Sequence, residues 1–369
     1  MAPEGRRMAS EQENREAFRI QEHWCRKMSA PIYAASCGAL ATGLTRESGI
    51  GARVLDWAGE PTRDALPLRL MGGLHALVRA GADAALAGVF AGDLREVGAV
   101  LARVLVRHDA ALSPWLDGPP QTNEPGRSAA LMTGLLKVAR RAGPKLELLE
   151  IGSSGGLNLL IDRYRFDLGG AVVGPEGSPV TITPEWLGEA PGVPPIEIVG
   201  VRGCDVRPLS VTNPAVEARL AAYVWPEKPE RLARLETAIG MVRERGVRLD
   251  SADAADWVEA RLAEPQAEGV ARVLMHSVVW QYLPEPTAER IRAAMAVAGE
   301  RATATRPIAW VAMEPDRAIG EMMVSVRSWP GGDAWDVVAT AHAHAAWVRP
   351  GGAQGLDSAM LEAASRVIL

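Results

Sequence analysis

Apolar residues recur every three or four positions through much of the first 143 residues, and this spacing is typical of amphipathic helices. The sequence Arg-Ala-Gly at 79–81 and again at 141–143 is typical of a helix C-terminus, where a cation meets the negative end of the dipole and glycine ends the helix. The pattern predicts an all-helical N-terminal domain over residues 10–143. The clearest apolar stripe consists of Phe18, Ile20, Trp24 and Met28.

After Lys145 the pattern changes to short apolar runs that alternate with helical stretches. This alternation predicts an α/β domain over 144–369 with a mostly parallel sheet and crossover helices. The last two strands are expected to form an antiparallel hairpin around Pro330, and the Gly- and Pro-rich segment 164–195 is an insertion of unassigned form. Strands are predicted over 146–151, 196–201, 247–249, 270–276, 308–313, 322–329 and 337–347, and helices over 214–222, 229–245, 254–262 and 287–299.

The sequence LELLEIGSSGGLNLLID at 146–162 joins an apolar run to a glycine-rich turn and an apparent helix. The run Leu146–Ile151 is apolar enough for a strand buried on both faces. Gly152, Gly155 and Gly156 allow a sharp turn and a close approach to a ligand. A helix after such a turn would direct free N–H groups at a carboxylate or phosphate. The segment therefore predicts a nucleotide-binding strand, turn and helix.

Three interpretations of Gly152–Gly156 imply different chemistry. The dinucleotide pattern G-x-G-x-x-G would need glycine at Ser154, which disfavours a nicotinamide site. The pattern G-x-S-x-G is present literally and makes Ser154 a candidate hydrolase nucleophile, with His342 or His344 as its base. Against this, no strand is predicted before Leu146, although a hydrolase elbow normally follows several strands.

The third interpretation rests on Glu150–Gly156, which resembles the acid-x-Gly-x-Gly-x-Gly loop of Rossmann-like S-adenosylmethionine methyltransferases, with Ser154 in place of the middle glycine. The antiparallel hairpin at the end of the chain resembles the sheet of the same proteins. The resemblance implies S-adenosylmethionine as cofactor. It gives cofactor-binding roles to Glu150, Gly152, Ser154 and Gly156.

Two further segments resemble cofactor-binding loops of these methyltransferases. Gly203–Pro208 resembles the second-strand pattern Gly-x-Asp-x-x-Pro, which implies that Asp205 accepts hydrogen bonds from the ribose hydroxyls. Asp250–Trp257 resembles the loop that holds adenine, which implies adenine contacts for Asp253 and Ala254. The alternatives are a turn-forming role for Asp205 before Pro208 and helix N-capping by Asp253.

Val273–Pro284 resembles the fourth strand and following loop of small-molecule methyltransferases, and that loop faces the transferable methyl group. His276 is the candidate general base, because a side chain at the end of a strand can reach an acceptor and an imidazole titrates near neutral pH. Trp280 and Tyr282 are candidate walls of the acceptor site, since aromatic faces attract cations. A structural histidine and core-packed aromatic side chains are the alternatives.

The loop Gln121–Ser128 offers polar groups immediately before the helix that leads to the first strand. Asn123 is a candidate substrate contact, and Arg127 suits the methionyl carboxylate because a guanidinium binds carboxylates with two parallel bonds. His342 and His344 would share one face if 337–347 is a strand. No third ligand accompanies them at metal-binding spacing, so no metal is predicted.

The composition and net charge disfavour several classes of protein. The 369 residues are 48% hydrophobic and 23% charged, which is enough to bury a large core. The net charge is −5, with arginines scattered along the chain, so no nucleic-acid partner is expected. No apolar window is long enough to span a membrane, and a cytoplasmic location is expected. The three cysteines are too few and too far apart for a disulfide framework or a zinc site: Cys25, Cys37 and Cys204.

From Phe18 to Trp347 the chain resembles a bacterial family of unassigned function whose members carry a methyltransferase-like domain. The resemblance implies transfer of a methyl group from S-adenosylmethionine to a small-molecule acceptor. A non-catalytic cofactor-binding or interaction module is the second hypothesis, and a serine hydrolase that uses Ser154 is the third. Nothing in the pattern favours a particular oligomeric state. The segments that carry the resemblance are 120–127, 149–159, 276–282 and 339–344.

Overall fold

A computed structural model describes residues 9–316, 318–332 and 334–351. The chain divides into two compact units. The helical unit comprises the residues up to Thr122 together with Asn213–Ala233, and the sheet unit comprises Asn123–Thr212 and the residues from Arg234 onward. The division therefore does not follow the predicted boundary at 143. The last predicted N-terminal helix belongs to the sheet unit, and a later segment returns to the helical unit.

Both helices and strands are described from residue 145 onward, whereas all regular elements described before that point are helices. The α-helices are α1 Glu11–Lys27, α2 Pro31–Gly43, α3 Gly49–Leu55, α4 Leu66–Arg79, α5 Ala84–Phe90, α6 Val97–Arg107, α7 Asp109–Leu112, α8 Arg127–Ala142, α9 Pro214–Ala222, α10 Pro229–Arg245, α11 Ala254–Ala263 and α12 Glu285–Arg301. The strands are β1 Lys145–Ile151, β2 Arg165–Leu168, β3 Ala171–Val173, β4 Thr181–Ile182, β5 Glu185–Trp186, β6 Glu197–Asp205, β7 Leu249–Ser251, β8 Val270–Ser277, β9 Ile308–Asp316, β10 Glu321–Trp329, β11 Asp336–Ala341 and β12 Trp347–Pro350. None of the described helices is both long and apolar enough to cross a membrane.

The segment 213–233 is tied into the helical unit by a carboxylate at the start of α2. No side chain next to α2 caps its N-terminus. Instead Glu227 Oε1 accepts hydrogen bonds from the backbone N–H groups of Ile32, at 2.7 Å, and Tyr33, at 3.3 Å. A negative charge at the positive end of a helix dipole is stabilising. A residue far away in the sequence therefore supplies the cap.

His75 of α4 forms a second link between the N-terminal helices and the segment 213–233. Its ring is buried and stacks on Phe90, with the ring centroids 5.3 Å apart. Its Nδ1 lies 3.0 Å from the carbonyl oxygen of Ala222, which can only accept, so Nδ1 carries the hydrogen. Burial lowers the pKa of His75 to about 4, and the neutral imidazole is the form that the fold holds.

We predict that His75 makes the stability of the chain depend on pH. The unfolded imidazole protonates near its ordinary pKa of 6.5, but the folded one only near 4, so stability is lost as the pH falls through this window. The loss for complete titration is about 3 kcal/mol. Urea unfolding of His75→Gln between pH 7 and pH 4 should show a smaller loss than the wild type, with the exposed His23→Gln as control. Equal losses in both variants would contradict the prediction.

The main sheet of the sheet unit has nine strands in the order β5-β12-β11-β10-β9-β8-β1-β6-β7. The five strands β7, β6, β1, β8 and β9 are parallel neighbours. β10 pairs antiparallel with both β9 and β11, which confirms the predicted hairpin. The chain runs from β1 to β6 and β7 on one side, then continues with β8 and β9 on the other. The strand order therefore reverses between β1 and β8.

The centre of the sheet is covered on both faces. On one face Gly134 of α8 lies so close to β9 that an added Cβ would be 2.6 Å from Val311 Cγ1. On the other face α11 and α12 pack against the sheet in a cluster that includes Leu149, Leu274 and Trp310. β1 is buried over most of its length, as expected of a central parallel strand.

Two sequence predictions need correction, and one segment of unassigned form is defined by the structure. The apparent helix after the glycine-rich turn is only a short 3₁₀ turn, Leu157–Leu160. The predicted strand 337–347 is two strands, because β11 ends at Ala341 and His342–Ala346 turn the chain into β12. The insertion 164–195 has a definite form, since β2, β3 and β4 build a separate three-stranded sheet and β5 joins the main sheet.

Candidate functional site

The glycine loop, Gly152–Gly156, leaves the carboxyl end of β1 next to β6. Ser153 N donates to the carbonyl oxygen of Cys204 at 3.0 Å, which prolongs the pairing of β1 and β6. Gly152 has a φ of +66°, and a Cβ there would lie 2.3 Å from Val279 Cγ2. Glycine is therefore required at this position both by the backbone conformation and by close packing. Ser154 also has a positive φ of +53°, which is uncommon for a residue with a side chain.

A buried amide network holds the start of this loop. Asn158 Oδ1 accepts from Ser128 Oγ of α8 at 2.9 Å. Its Nδ2 donates to Glu150 Oε1 of β1 at 3.0 Å and to Ser277 Oγ of β8 at 3.4 Å. All four side chains are buried. One side chain thus links the covering helix to both strands at which the strand order reverses.

Glu150 is a fully buried carboxyl group whose pKa is displaced. Burial raises its pKa to about 7, although the hydrogen bond from Asn158 favours the charged form. Its Oε2 is buried, with no hydrogen-bond partner among the described residues. A carboxyl group with one unsatisfied oxygen costs folding free energy, and such groups cluster at functional sites.

We predict that Glu150 lowers stability as the pH rises. The folded carboxyl keeps its proton up to about pH 7, whereas the unfolded one loses it near its ordinary pKa of 4.5, so stability present below pH 4.5 is lost as the pH rises through 7. The full effect is about 3 kcal/mol. Glu150→Gln should flatten the curve of unfolding free energy between pH 5 and pH 8 and be more stable than the wild type at pH 8. The exposed Glu197→Gln is the control. A Glu150→Gln curve as steep as the wild-type curve would refute the assignment.

Asp205, at the end of β6, lies directly beside the glycine loop. Its Oδ2 accepts from Ser154 N at 2.9 Å and its Oδ1 from Arg207 N at 2.8 Å. Leu209 N in turn donates to the carbonyl oxygen of Ser154 at 2.9 Å. The loops after β1 and β6 are therefore held together. Each carboxylate oxygen has two lone pairs and can accept a further bond. The turn-forming alternative for Asp205 is seen, and its ribose role stays a prediction.

The predicted residues of the loop before α8 also contact the protein. Asn123 Oδ1 accepts from the backbone N–H groups of Gly155, at 3.2 Å, and Leu157, at 3.0 Å. Arg127 is buried, and its Nε donates to the carbonyl oxygen of Ala343 at 3.0 Å. Asn123 therefore holds the glycine loop, while Arg127 holds the turn before β12. Their roles toward a substrate or cofactor stay predictions.

His276 lies on the opposite face of the sheet from Asn158 and is fully buried. Trp310 Nε1 donates to His276 Nε2 at 2.9 Å, so the ring hydrogen is on Nδ1, which lies 2.6 Å from Glu314 Oε1. Both ring nitrogens are therefore bonded to protein side chains. A base at Nε2 would first have to lose the bond from Trp310, and the catalytic role of His276 stays a prediction.

Glu314 holds the loop after β8 in place. In addition to the His276 ring, its Oε1 accepts from Val279 N at 2.9 Å and Trp280 N at 3.2 Å. Trp280 is buried and stacks on the His276 ring with centroids 5.3 Å apart, whereas Tyr282 is 66% exposed. Of the two aromatic residues predicted to wall an acceptor site, Tyr282 is thus the one that solvent reaches.

The remaining predicted site residues have structural partners. Asp253 Oδ1 caps α11 by accepting from Ala255 N and Asp256 N at 2.9 and 3.2 Å, and Ala254 is packed in the core. The capping alternative is thus the one seen, and adenine contacts for Asp253 and Ala254 stay predictions. Ser154 Oγ is buried and has no hydrogen-bond partner in the described part of the chain, so it lacks the bonded base that a hydrolase nucleophile needs.

The two C-terminal histidines lie in one turn. His344 N donates to His342 Nδ1 at 3.1 Å, and the ring centroids are 5.4 Å apart. Among the residues that the structure describes, no group of three or more His, Cys, Asp or Glu side chains is arranged to hold a metal ion. The predicted pairing on one strand face is wrong, because the strand ends before His342.

Sequence reasoning missed the residues that organise the site. Ser128, Asn158 and Ser277 are ordinary polar residues whose partners are far away in the sequence. Glu314 carried a usable signal, because it is an acid at the end of the otherwise apolar run 308–313. An unpaired acid in a buried strand is expensive, and its presence predicts a buried partner.

The fold and the site define a mixed α/β protein with a large, mostly parallel sheet and two buried polar networks at the carboxyl edge of its central strands. The chain belongs to a bacterial protein family, DUF2332, described as uncharacterized protein conserved in bacteria, whose model matches residues 15–349. This membership confirms the expected bacterial family of unassigned function. No match was found among curated proteins or among solved structures.

Proposed function

We propose that the sheet unit is a Rossmann-like methyltransferase domain that binds S-adenosylmethionine and transfers its methyl group to a small-molecule acceptor. The proposal rests on one contact at the carboxyl edge of β1 and β6: Ser154 N of the glycine loop donates a hydrogen bond to Asp205 Oδ2. A turn rich in glycine and an acid on the next strand are the two elements that bind the nucleoside part of such cofactors in doubly wound folds.

The topology supports the proposal independently of these residues. In open α/β sheets, ligands bind outside the carboxyl ends of the strands where the strand order reverses. Here that point lies between β1 and β8. Glu150 and Gly152 come from the end of β1, and Ser277 comes from the end of β8. The motif segments therefore converge at the position that the topology favours for a ligand.

The polar groups present fit such a cofactor in part. Glu150 Oε2 and Ser154 Oγ are buried and unsatisfied within the described residues, and an acceptor and a hydroxyl suit an ammonium group and ribose hydroxyls. Asp205 retains acceptor capacity. The space beside Gly152, by contrast, is filled by Val279. The packing of Val279 therefore accounts for a glycine at this position without any ligand. The fit thus rests on Glu150, Ser154 and Asp205.

The bound cofactor would supply an already activated methyl group, so the task of the chain is positioning rather than covalent catalysis. Glu150 and Asp205 would bind the cofactor, with Gly152, Ser154 and Gly156 shaping the loop. Arg127 stays the predicted partner of the methionyl carboxylate. No helix of normal length follows the glycine loop, so a side chain must take the place of a helix N-terminus. Exposed Tyr282 is the residue best placed to contact an acceptor.

One observation favours a non-catalytic cofactor-binding module as the second candidate. Both nitrogens of His276 are bonded, so the predicted base is not poised to remove a proton. Methyl transfer to an acceptor that needs no deprotonation is compatible with this arrangement, and so is binding without turnover. The hydrolase hypothesis is less favoured, because Ser154 Oγ has no hydrogen-bonded base among the residues that the structure describes.

Calorimetric titration with S-adenosylmethionine and S-adenosylhomocysteine tests the proposal. We expect saturable binding to the wild type and binding weakened by more than about tenfold in Asp205→Asn, because hydrogen bonds to a charged acceptor are lost. Asp167→Asn is the matched control, since Asp167 also accepts from a backbone N–H in a turn, that of Gly170 at 2.7 Å.

Absence of wild-type binding would overturn the proposal, and equal affinity of Asp205→Asn and wild type would remove Asp205 from the site. If binding is present, incubation with broad metabolite pools separates the two candidates. Acceptor-dependent release of S-adenosylhomocysteine supports the methyltransferase, whereas binding without release supports the non-catalytic module.

A further inference from the structure

A cleft of about 230 Å³ opens beside the glycine loop on the β7 side of the sheet unit. Its lining comes from Gly155, the loop after β6, the last turn of α10 and the connection between α10 and β7. The loop after β6 is fixed to the glycine loop through Leu209 N and Ser154 O, which are 2.9 Å apart. Arg243 Nε donates to the carbonyl oxygen of Val211 at 2.8 Å and ties α10 to the same loop. These hydrogen bonds therefore hold the segments that line the cleft in place.

Apolar side chains from two segments of the chain line the cleft. Pro208 and Leu209 come from the loop after β6, Val247 comes from the connection between α10 and β7, and Leu249 is the first residue of β7. All four are only partly buried, so their apolar surface is available to a ligand. Gly155 keeps this wall free of a side chain. An apolar lining of this kind suits a flat ring.

Two hydroxyl groups and the side chain of Arg243 are the polar part of the lining. Ser210 Oγ and Thr212 Oγ1 lie 2.7 Å apart and are both exposed. A hydroxyl can donate to a ring nitrogen and accept from an exocyclic amino group. An apolar slot with a few polar groups that fix orientation is the usual form of a small-molecule site. The volume suits one ring system rather than a whole dinucleotide.

Asp253 and Ala254, the two residues predicted to contact adenine, make other contacts in the structure. Asp253 caps α11, and its second oxygen lies 3.4 Å from Thr287 Oγ1. Ala254 is packed in a hydrophobic core cluster and does not line the cleft. The cleft, by contrast, adjoins both the glycine loop and the loop that follows Asp205. We propose that this cleft binds the adenine ring of an adenosine-containing ligand, an inference that rests on the proposed function for the identity of the ring.

The experiment is calorimetric titration of the full chain with adenosine and, separately, with S-adenosylhomocysteine. Val247→Trp should fill the cleft and weaken both ligands by at least about tenfold. The same substitution at Val199, which is 45% exposed on β6 outside the cleft, is the matched control and should leave both affinities unchanged. The double variant Ser210→Ala, Thr212→Ala should weaken adenosine by about three- to tenfold without filling the cleft.

The outcomes separate this inference from the proposed function. If S-adenosylhomocysteine binds the wild type, and Val247→Trp and the double hydroxyl variant both bind it equally well, the cleft assignment is wrong and the proposed function stands. If S-adenosylhomocysteine does not bind, the proposed function fails, and the adenosine titrations alone test whether the cleft binds an adenine ring. Adenosine binding that is lost in Val247→Trp but kept in Val199→Trp supports the cleft, and absent adenosine binding overturns it. The double variant keeps the test valid if Val247→Trp does not fold.

Discussion

The candidate site depends on the hydrogen bonds that the Asn158 side chain makes. Its amide accepts from Ser128 on α8 and donates to Glu150 on β1 and Ser277 on β8. Buried hydrogen bonds of this kind contribute modestly when they are made, but leave costly unsatisfied groups when one partner is lost. The orientation of Glu150, with one oxygen bonded to Asn158 and the other without a partner in the described part of the chain, follows from this geometry. The same amide therefore fixes both the strand ends and the carboxyl group at the centre of the site.

A second network on the opposite face fixes the loop after β8. His276 and Ser277 are consecutive residues of a strand, so they point to opposite faces of the sheet. Ser277 joins the Asn158 network, whereas His276 joins Glu314 and Trp310. Glu314 also accepts from the backbone after Val278, which has a φ of +57° that is unusual for a β-branched residue. Val279 then packs against Gly152. The end of β8 thus couples the two networks to the glycine loop.

The sequence was sufficient for the parts of the fold that depend on local pattern. Continuous apolar runs predicted the parallel strands, and Asp205 was expected at the end of the strand next to β1, where it lies. The helix after the glycine loop was predicted wrongly, because the apolar residues at 157–161 suit either a helix or a tight turn. Long-range contacts decide between them: Asn123 accepts from Leu157 N, and Tyr164 Oη donates to Leu157 O at 2.8 Å. The bonds of His276 and Asn158 likewise join residues far apart in the sequence, and no local pattern encodes them.

In the function proposed above, the loops after β1 and β6 together form one ligand site at the carboxyl edge of the sheet. Hydrogen–deuterium exchange with and without S-adenosylhomocysteine tests it most directly, because binding slows the opening of the backbone that it orders. We expect slower exchange in residues 150–160 and 203–212, and no change in α1–α6 of the helical unit. Unchanged exchange in both loops at a saturating ligand concentration, or protection confined to the helical unit, would contradict it.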